Sequence, residues 1–132
     1  MDRLKILLVD DEADFRETMG VIIKGWGYDL ITVASGKEAI DVIRNKKADI
    51  VILDYMMPEM DGISTLKEIR KIDNKIPVIM FTAYPDGRSF EGANKLGALM
   101  FIPKLSAYSD NQAALKEAIH IAEKKLNGAH PG

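Results

Sequence analysis

Five short apolar runs, each followed by a stretch of helical periodicity, constrain this chain more than any other feature of it. Leu4-Lys5-Ile6-Leu7-Leu8-Val9, Ile50-Val51-Ile52-Leu53 and Val78-Ile79-Met80-Phe81 are almost wholly apolar. Continuous runs of that length suit strands buried on both faces, as in a parallel sheet covered by helices. Asp29-Leu30-Ile31-Thr32-Val33 is more polar and belongs at an edge, and Ala98-Leu99-Met100-Phe101-Ile102 is the fifth run. Strand–helix alternation over the whole chain predicts a parallel α/β sheet with right-handed crossovers.

The intervening segments carry helix signals. Phe15, Met19, Ile22, Ile23 and Trp26 recur on one helical face. Ser35-Gly36-Lys37-Glu38 reads as a capping box, with Ala39, Ile40 and Ile43 facing inward. Asp61 can cap a third helix that buries Ile63, Leu66 and Ile69, and Leu115, Ala118, Ile119, Ala122 and Leu126 mark a long final one. The poorest helix runs from about Arg88 to Leu96, with Gly92 inside it. Five strands and five helices in 132 residues predict the flavodoxin-like, doubly wound order 2-1-3-4-5. Residues 1–127 read as one domain, and 128–132 as a tail, with Asn127 already fraying.

Composition narrows the function classes. The chain is 47% hydrophobic and 29% charged, as in ordinary globular domains. It has no cysteine, so disulfides and thiolate metal sites are excluded. A net charge of −2 gives no general attraction to nucleic acid or anionic lipid, and no recognition helix or basic patch suggests direct nucleic-acid binding. No apolar run approaches the roughly 20 residues of a membrane span, and the first residues do not read as a signal peptide. A cytoplasmic location without membrane insertion is therefore expected.

In a sheet of this order, ligands sit beyond the carboxyl ends of the strands, at the switch between strands 1 and 3. Strand 1 ends in Asp10-Asp11-Glu12, strand 3 in Asp54, strand 4 in Thr82, and strand 5 runs into Lys104. Carboxylates meeting in one crevice repel strongly unless a cation joins them. Hard oxygen donors select Mg²⁺ or a similar ion such as Mn²⁺. Such a cluster suits phosphoryl transfer: Asp54 as the nucleophile, Lys104 stabilising charge on the transferring oxygens, and Thr82 donating a hydrogen bond to the product.

Val9-Asp10-Asp11-Glu12, then Leu53-Asp54-Tyr55-Met56-Met57-Pro58-Glu59-Met60-Asp61-Gly62, then Thr82-Ala83, then Lys104 resemble the receiver domain of two-component response regulators. The resemblance runs from about Leu4 to Leu126, and Asp54 to Gly62 is its most specific part. It implies a phosphoacceptor that takes a phosphoryl group onto Asp54 from a sensor histidine kinase or phosphotransfer protein, and turns over no external substrate. It implies that Asp11 and Asp54 ligate the ion directly, Asp10 through a water, and Met56 through its carbonyl. It also implies that Thr82 and Phe101 form a switch that re-forms the surface of helix 4, strand 5 and helix 5, where an output protein or domain binds.

Three departures stand out. The family's Lys-Pro at the end of strand 5 is replaced by Ile102-Pro103-Lys104-Leu105. A cis bond before Leu105 would cost about 2.5–4 kcal/mol, so a trans Lys104–Leu105 bond is expected. Ser106-Ala107-Tyr108-Ser109 looks like an insertion before the last helix. Met56 and Tyr84, bulky and uncharged, occupy positions beside the path of the attacking water, which implies slow self-hydrolysis.

Simpler readings exist for each residue. The acidic triplet could cap and charge the first helix N-terminus; Asp54 could be a turn residue; Thr82 suits any strand; Lys104 could be a solvated lysine and Phe101 plain core. Met57, Met60 and Met80 fill the core or its margin. His120 faces away from the apolar stripe, and neither it nor His130 has a metal partner. Among other function classes, a flavin or nucleotide binder needs an amide cradle after strand 1, where this chain has acids. A phosphatase acting on outside substrates lacks an acid at position 56, and the full acceptor set argues against a receiver that no longer takes phosphate.

Overall fold

The computed structural model describes residues 3–55, 57, 59–82, 87–103 and 108–128, with side chains described except for 87–90, 108–111 and 128. Strands and helices alternate along it: β1 (Lys5–Val9), α1 (Ala13–Gly25), β2 (Asp29–Val33), α2 (Gly36–Arg44), β3 (Ile50–Leu53), α3 (Gly62–Ile72), β4 (Val78–Thr82), α4 (Gly87–Lys95), β5 (Met100–Pro103) and α5 (Tyr108–Gly128). All pairings are parallel, in the order β2-β1-β3-β4-β5. The predicted class and strand order hold.

The apolar runs are explained by two cores, one on each face of the sheet. Ile6, Leu8, Ile50, Ile52, Ile79, Phe81 and Ile102 face α1 and α5, where they meet Met19, Ile23, Leu115 and Ile119. Leu7, Val9, Val51, Leu53, Val78 and Met80 face α2, α3 and α4 and meet Ala39, Ile43, Leu66, Ile69 and Ala93. Successive strand residues point to opposite faces, so a strand covered on both sides has no position left for a polar residue. Phe15 of α1 lies 5.7 Å from Phe81, ring centre to ring centre.

Both predicted N-caps form, though Glu38 Oε1 accepts from the Ser35 hydroxyl and not from its backbone N–H, so the box at Ser35 is half of the reciprocal pair. Ser35 Oγ accepts from Glu38 N–H, and Asp61 Oδ1 accepts from Ser64 N–H. Gly92 lies within α4 because that helix presses on α3: a Cβ there would stand 3.3 Å from Ile63 Cγ2. Several boundaries shift by one residue, and two shift by two. β5 begins at Met100 instead of Ala98, because Gly97 turns the chain at φ +73°. α5 continues through Asn127 and Gly128, two residues into the stretch read as fraying. His120 is exposed, as its place off the apolar stripe requires.

Buried Tyr28 donates its hydroxyl hydrogen bond to Glu123 Oε1, tying the entry of β2 to α5. Burial, with the Glu123 carboxylate beside it, raises the phenol above its ordinary pKa of 10.0. The folded state therefore disfavours the phenolate. Stability is full below pH 10 and falls as pH rises past it, because the unfolded chain ionises first. Tyr28→Phe should lose stability near neutrality, where the hydrogen bond goes, and show a shallower decline above pH 10 in chemical-denaturation midpoints. An unchanged alkaline slope would count against this.

Candidate metal centre

The register of three strands brings distant acids together. Val9 pairs with Leu53 across β1 and β3, and with Val33 across β1 and β2. The next residues, Asp10 and Asp54, stay in the ladder: Asp10 N–H donates to Val33 O at 3.2 Å and Asp54 N–H to Val9 O at 3.0 Å. The two acids thus leave adjacent strands at the same level, where neighbouring chains run about 4.8 Å apart. One carboxylate oxygen from each of Asp10, Asp11 and Asp54 lies within 4.8 Å of the others, the one such acidic grouping among the described residues.

Asp10 is 1% exposed and Asp54 4%, whereas Asp11 is open to solvent. Two buried carboxylates beside a third form an unfavourable assembly unless a cation occupies their midst. Ligands on opposite sides of an octahedral Mg²⁺ stand about 4 Å apart, so this spread suits a small hard cation with three oxygen donors. Glu12 stays outside the group. It stands at the N-cap of α1 without a side-chain capping bond, and its N–H donates to Asp10 Oδ1 at 2.9 Å. Glu12 thus does not cap the helix with its side chain.

Thr82 ends β4, wholly buried, on the strand next to Asp54. Phe101 lies half-buried on β5 against the core under α3 and α4, while its neighbour Ile102 faces α5. Lys104, Met56 and Tyr84 lie outside the described residues, as do the Lys104–Leu105 bond and Ser106-Ala107, the first half of the suspected insertion; its second half, Tyr108-Ser109, opens α5.

Two contributors escaped the sequence reading. Gly62 rests on the backbone just after the acceptor aspartate: its N–H donates to Tyr55 O at 2.8 Å, and a Cβ there would stand 2.4 Å from Asp54 O. Its place in the Asp54–Gly62 motif was the only signal. Arg16 donates from Nη1 to Asp10 O at 2.7 Å. Apolar periodicity is silent about a half-buried arginine on the first turns of a helix.

The family model for the response regulator receiver domain matches residues 6–119. Transcriptional regulatory protein ZraR of Escherichia coli (strain K12) is 37% identical over 118 residues, 89% of this chain and 27% of that protein. Sporulation initiation phosphotransferase F of Bacillus subtilis (strain 168) is 34% identical over 117 residues, 89% of this chain and 94% of that one. The chain therefore spans about a quarter of the first relative and nearly all of the second. Among solved structures, response regulator protein TrrA of Thermotoga maritima, in complex with Mg²⁺-BeF, matches with a TM-score of 0.76 at 30% identity, over 87% of this chain and 98% of that chain.

Proposed function

Because this chain belongs to the response regulator receiver domain family, we propose that it is a phosphoacceptor that takes a phosphoryl group onto Asp54. The observation that carries this reading is the convergence of Asp10, Asp11 and Asp54 at the β1/β3 switch point, with Asp54 buried. Asp10, Asp11 and Asp54, with the Met56 carbonyl, would hold Mg²⁺ or Mn²⁺. That ion supplies charge neutralisation for the acids and for the phosphoryl oxygens. A carboxylate oxygen of Asp54 attacks the donor's phosphorus, the bond from phosphorus to the leaving group breaks, and the leaving group departs with its electron pair. Thr82 donates a hydrogen bond to the product, and Lys104 adds a positive charge. Asp54 is itself the substrate, so no outside substrate is turned over.

The donor is a sensor histidine kinase or a phosphotransfer protein. The phosphoryl group adds a near-dianion beside Thr82, which biases Thr82 and Phe101 and re-forms the α4-β5-α5 surface toward an output partner. No helix among the described residues is long and apolar enough to cross a membrane. The test is incubation with Mg²⁺ and acetyl phosphate followed by intact mass. One added phosphoryl group, absent when EDTA is present, is the expected result. No mass gain at saturating Mg²⁺ would overturn the proposal.

A further inference from the structure

We propose that Arg16 is a positioning residue for the divalent-cation site: by holding the Asp10 carbonyl it fixes the peptide that joins the two acids of β1. The inference rests on the reading of that site given above. Three of the ties of Asp10 lie among the described residues. Its N–H donates to Val33 O at 3.2 Å, its Oδ1 accepts from Glu12 N–H at 2.9 Å, and its carbonyl accepts from Arg16 Nη1 at 2.7 Å. The first two partners are backbone groups that persist under any side-chain substitution short of proline. The third is a side chain six residues further on, reaching back from α1 to the end of the strand.

The carbonyl that Arg16 holds belongs to the Asp10–Asp11 peptide unit. That unit is planar, so fixing the direction of its C=O also fixes the direction of its N–H and the start of Asp11. The bond is charge-assisted and short, the stronger class of hydrogen bond. Asp11 is exposed while Asp10 is buried. Arg16 thus orients a solvent-facing carboxylate relative to a buried one through the backbone between them, touching neither carboxylate group.

Charge alone predicts the opposite effect. A guanidinium beside a cation site repels the cation, so its removal should tighten binding. Loss of positioning should loosen it, and outer-shell partners of metal ligands typically contribute about 10–100-fold in affinity. The sign therefore decides between the two roles.

Mn²⁺ binding, followed by the electron paramagnetic resonance signal of the free ion, should be weakest in Arg16→Gln, by about tenfold or more against wild type. Arg16→Lys keeps the charge and one donor and should fall between them. In acetyl phosphate reactions, Arg16→Gln should need more Mg²⁺ for half-maximal rate yet approach the wild-type rate at saturation. Binding by Arg16→Gln as tight as wild type or tighter overturns the inference, as does a lowered maximal rate with unchanged Mg²⁺ dependence. If Arg16→Gln does not fold, Arg16→Lys decides by the same comparison: looser binding supports positioning, and equal or tighter binding overturns it. A wild-type protein that takes up no Mn²⁺ would instead sink the cation reading itself, a distinguishable outcome.

Discussion

Asp54→Asn should take up no phosphoryl group from acetyl phosphate and Mg²⁺, and without divalent cation it should be more stable than the wild-type protein. The first result follows from chemistry: the amide keeps the shape of the carboxylate but offers no anionic oxygen to attack phosphorus. The second follows from electrostatics. Three carboxylate oxygens within 4.8 Å of one another, two of them on buried residues, repel in the cation-free protein. At that separation each pair is worth about 1–3 kcal/mol, between the water-like and protein-surface limits of screening. Removing one charge relieves two such pairs, so thermal melts in EDTA should place Asp54→Asn above wild type. Millimolar Mg²⁺ should then stabilise wild type more than the variant, because an ion that binds only the folded state raises its stability with the logarithm of its concentration over its dissociation constant. Phosphoryl uptake by Asp54→Asn would move the acceptor elsewhere, and a lower melting temperature in EDTA would refute the repulsion argument.

Gly62→Ala should be the most damaging single methyl group near the site. By helix propensity the change should cost nothing: alanine exceeds glycine by about 1 kcal/mol in a helix interior, and by less at Gly62, the first residue of α3. Here the added Cβ would stand 2.4 Å from Asp54 O and 2.7 Å from Tyr55 Cα, both backbone atoms that no rotamer change can move aside. Overpacking of this kind costs about 1–3 kcal/mol, enough to outweigh the propensity gain. The backbone that must give way carries Asp54, so Mn²⁺ affinity and phosphorylation rate should fall along with the urea midpoint. Gly25→Ala is the matched control. It ends α1 with nothing within 4 Å of the added Cβ and should be neutral or stabilising by up to about 1 kcal/mol. Equal midpoints for Gly62→Ala and wild type would contradict the steric reading.

The strands were legible because burial on both faces leaves a mark in one dimension. Ile50–Leu53 and Asp29–Val33 appear with the bounds read from their composition. β5 starts two residues later than its apolar run: Leu99 only leads into the strand, through its N–H to Val78 O at 2.8 Å, and the registered pairs begin at Met100, after the turn at Gly97 that no periodicity records. α4 was the hardest helix to read, since its glycine serves contact with Ile63, a matter of neighbours in space. The acids at the strand ends were visible as residue types in the right places. Residue type does not say whether Glu12 caps α1 with its side chain; it stands at the N-cap without such a bond.

What the chain determined alone was mostly local: which segments are strands, which are helices, and which residues stand where each strand stops, with the strand order following from their alternation. Hydrophobic period and capping residues act over a few positions, so they can be read without knowing what lies across the sheet. Only the tertiary structure decided that Val9 lies opposite Leu53, that the carboxylates of Asp10 and Asp54 consequently meet, and that Arg16 and Gly62 brace the backbone behind them. Those are relations between segments tens of residues apart, set by strand register and helix packing, and they have no period along the chain for a reader to detect.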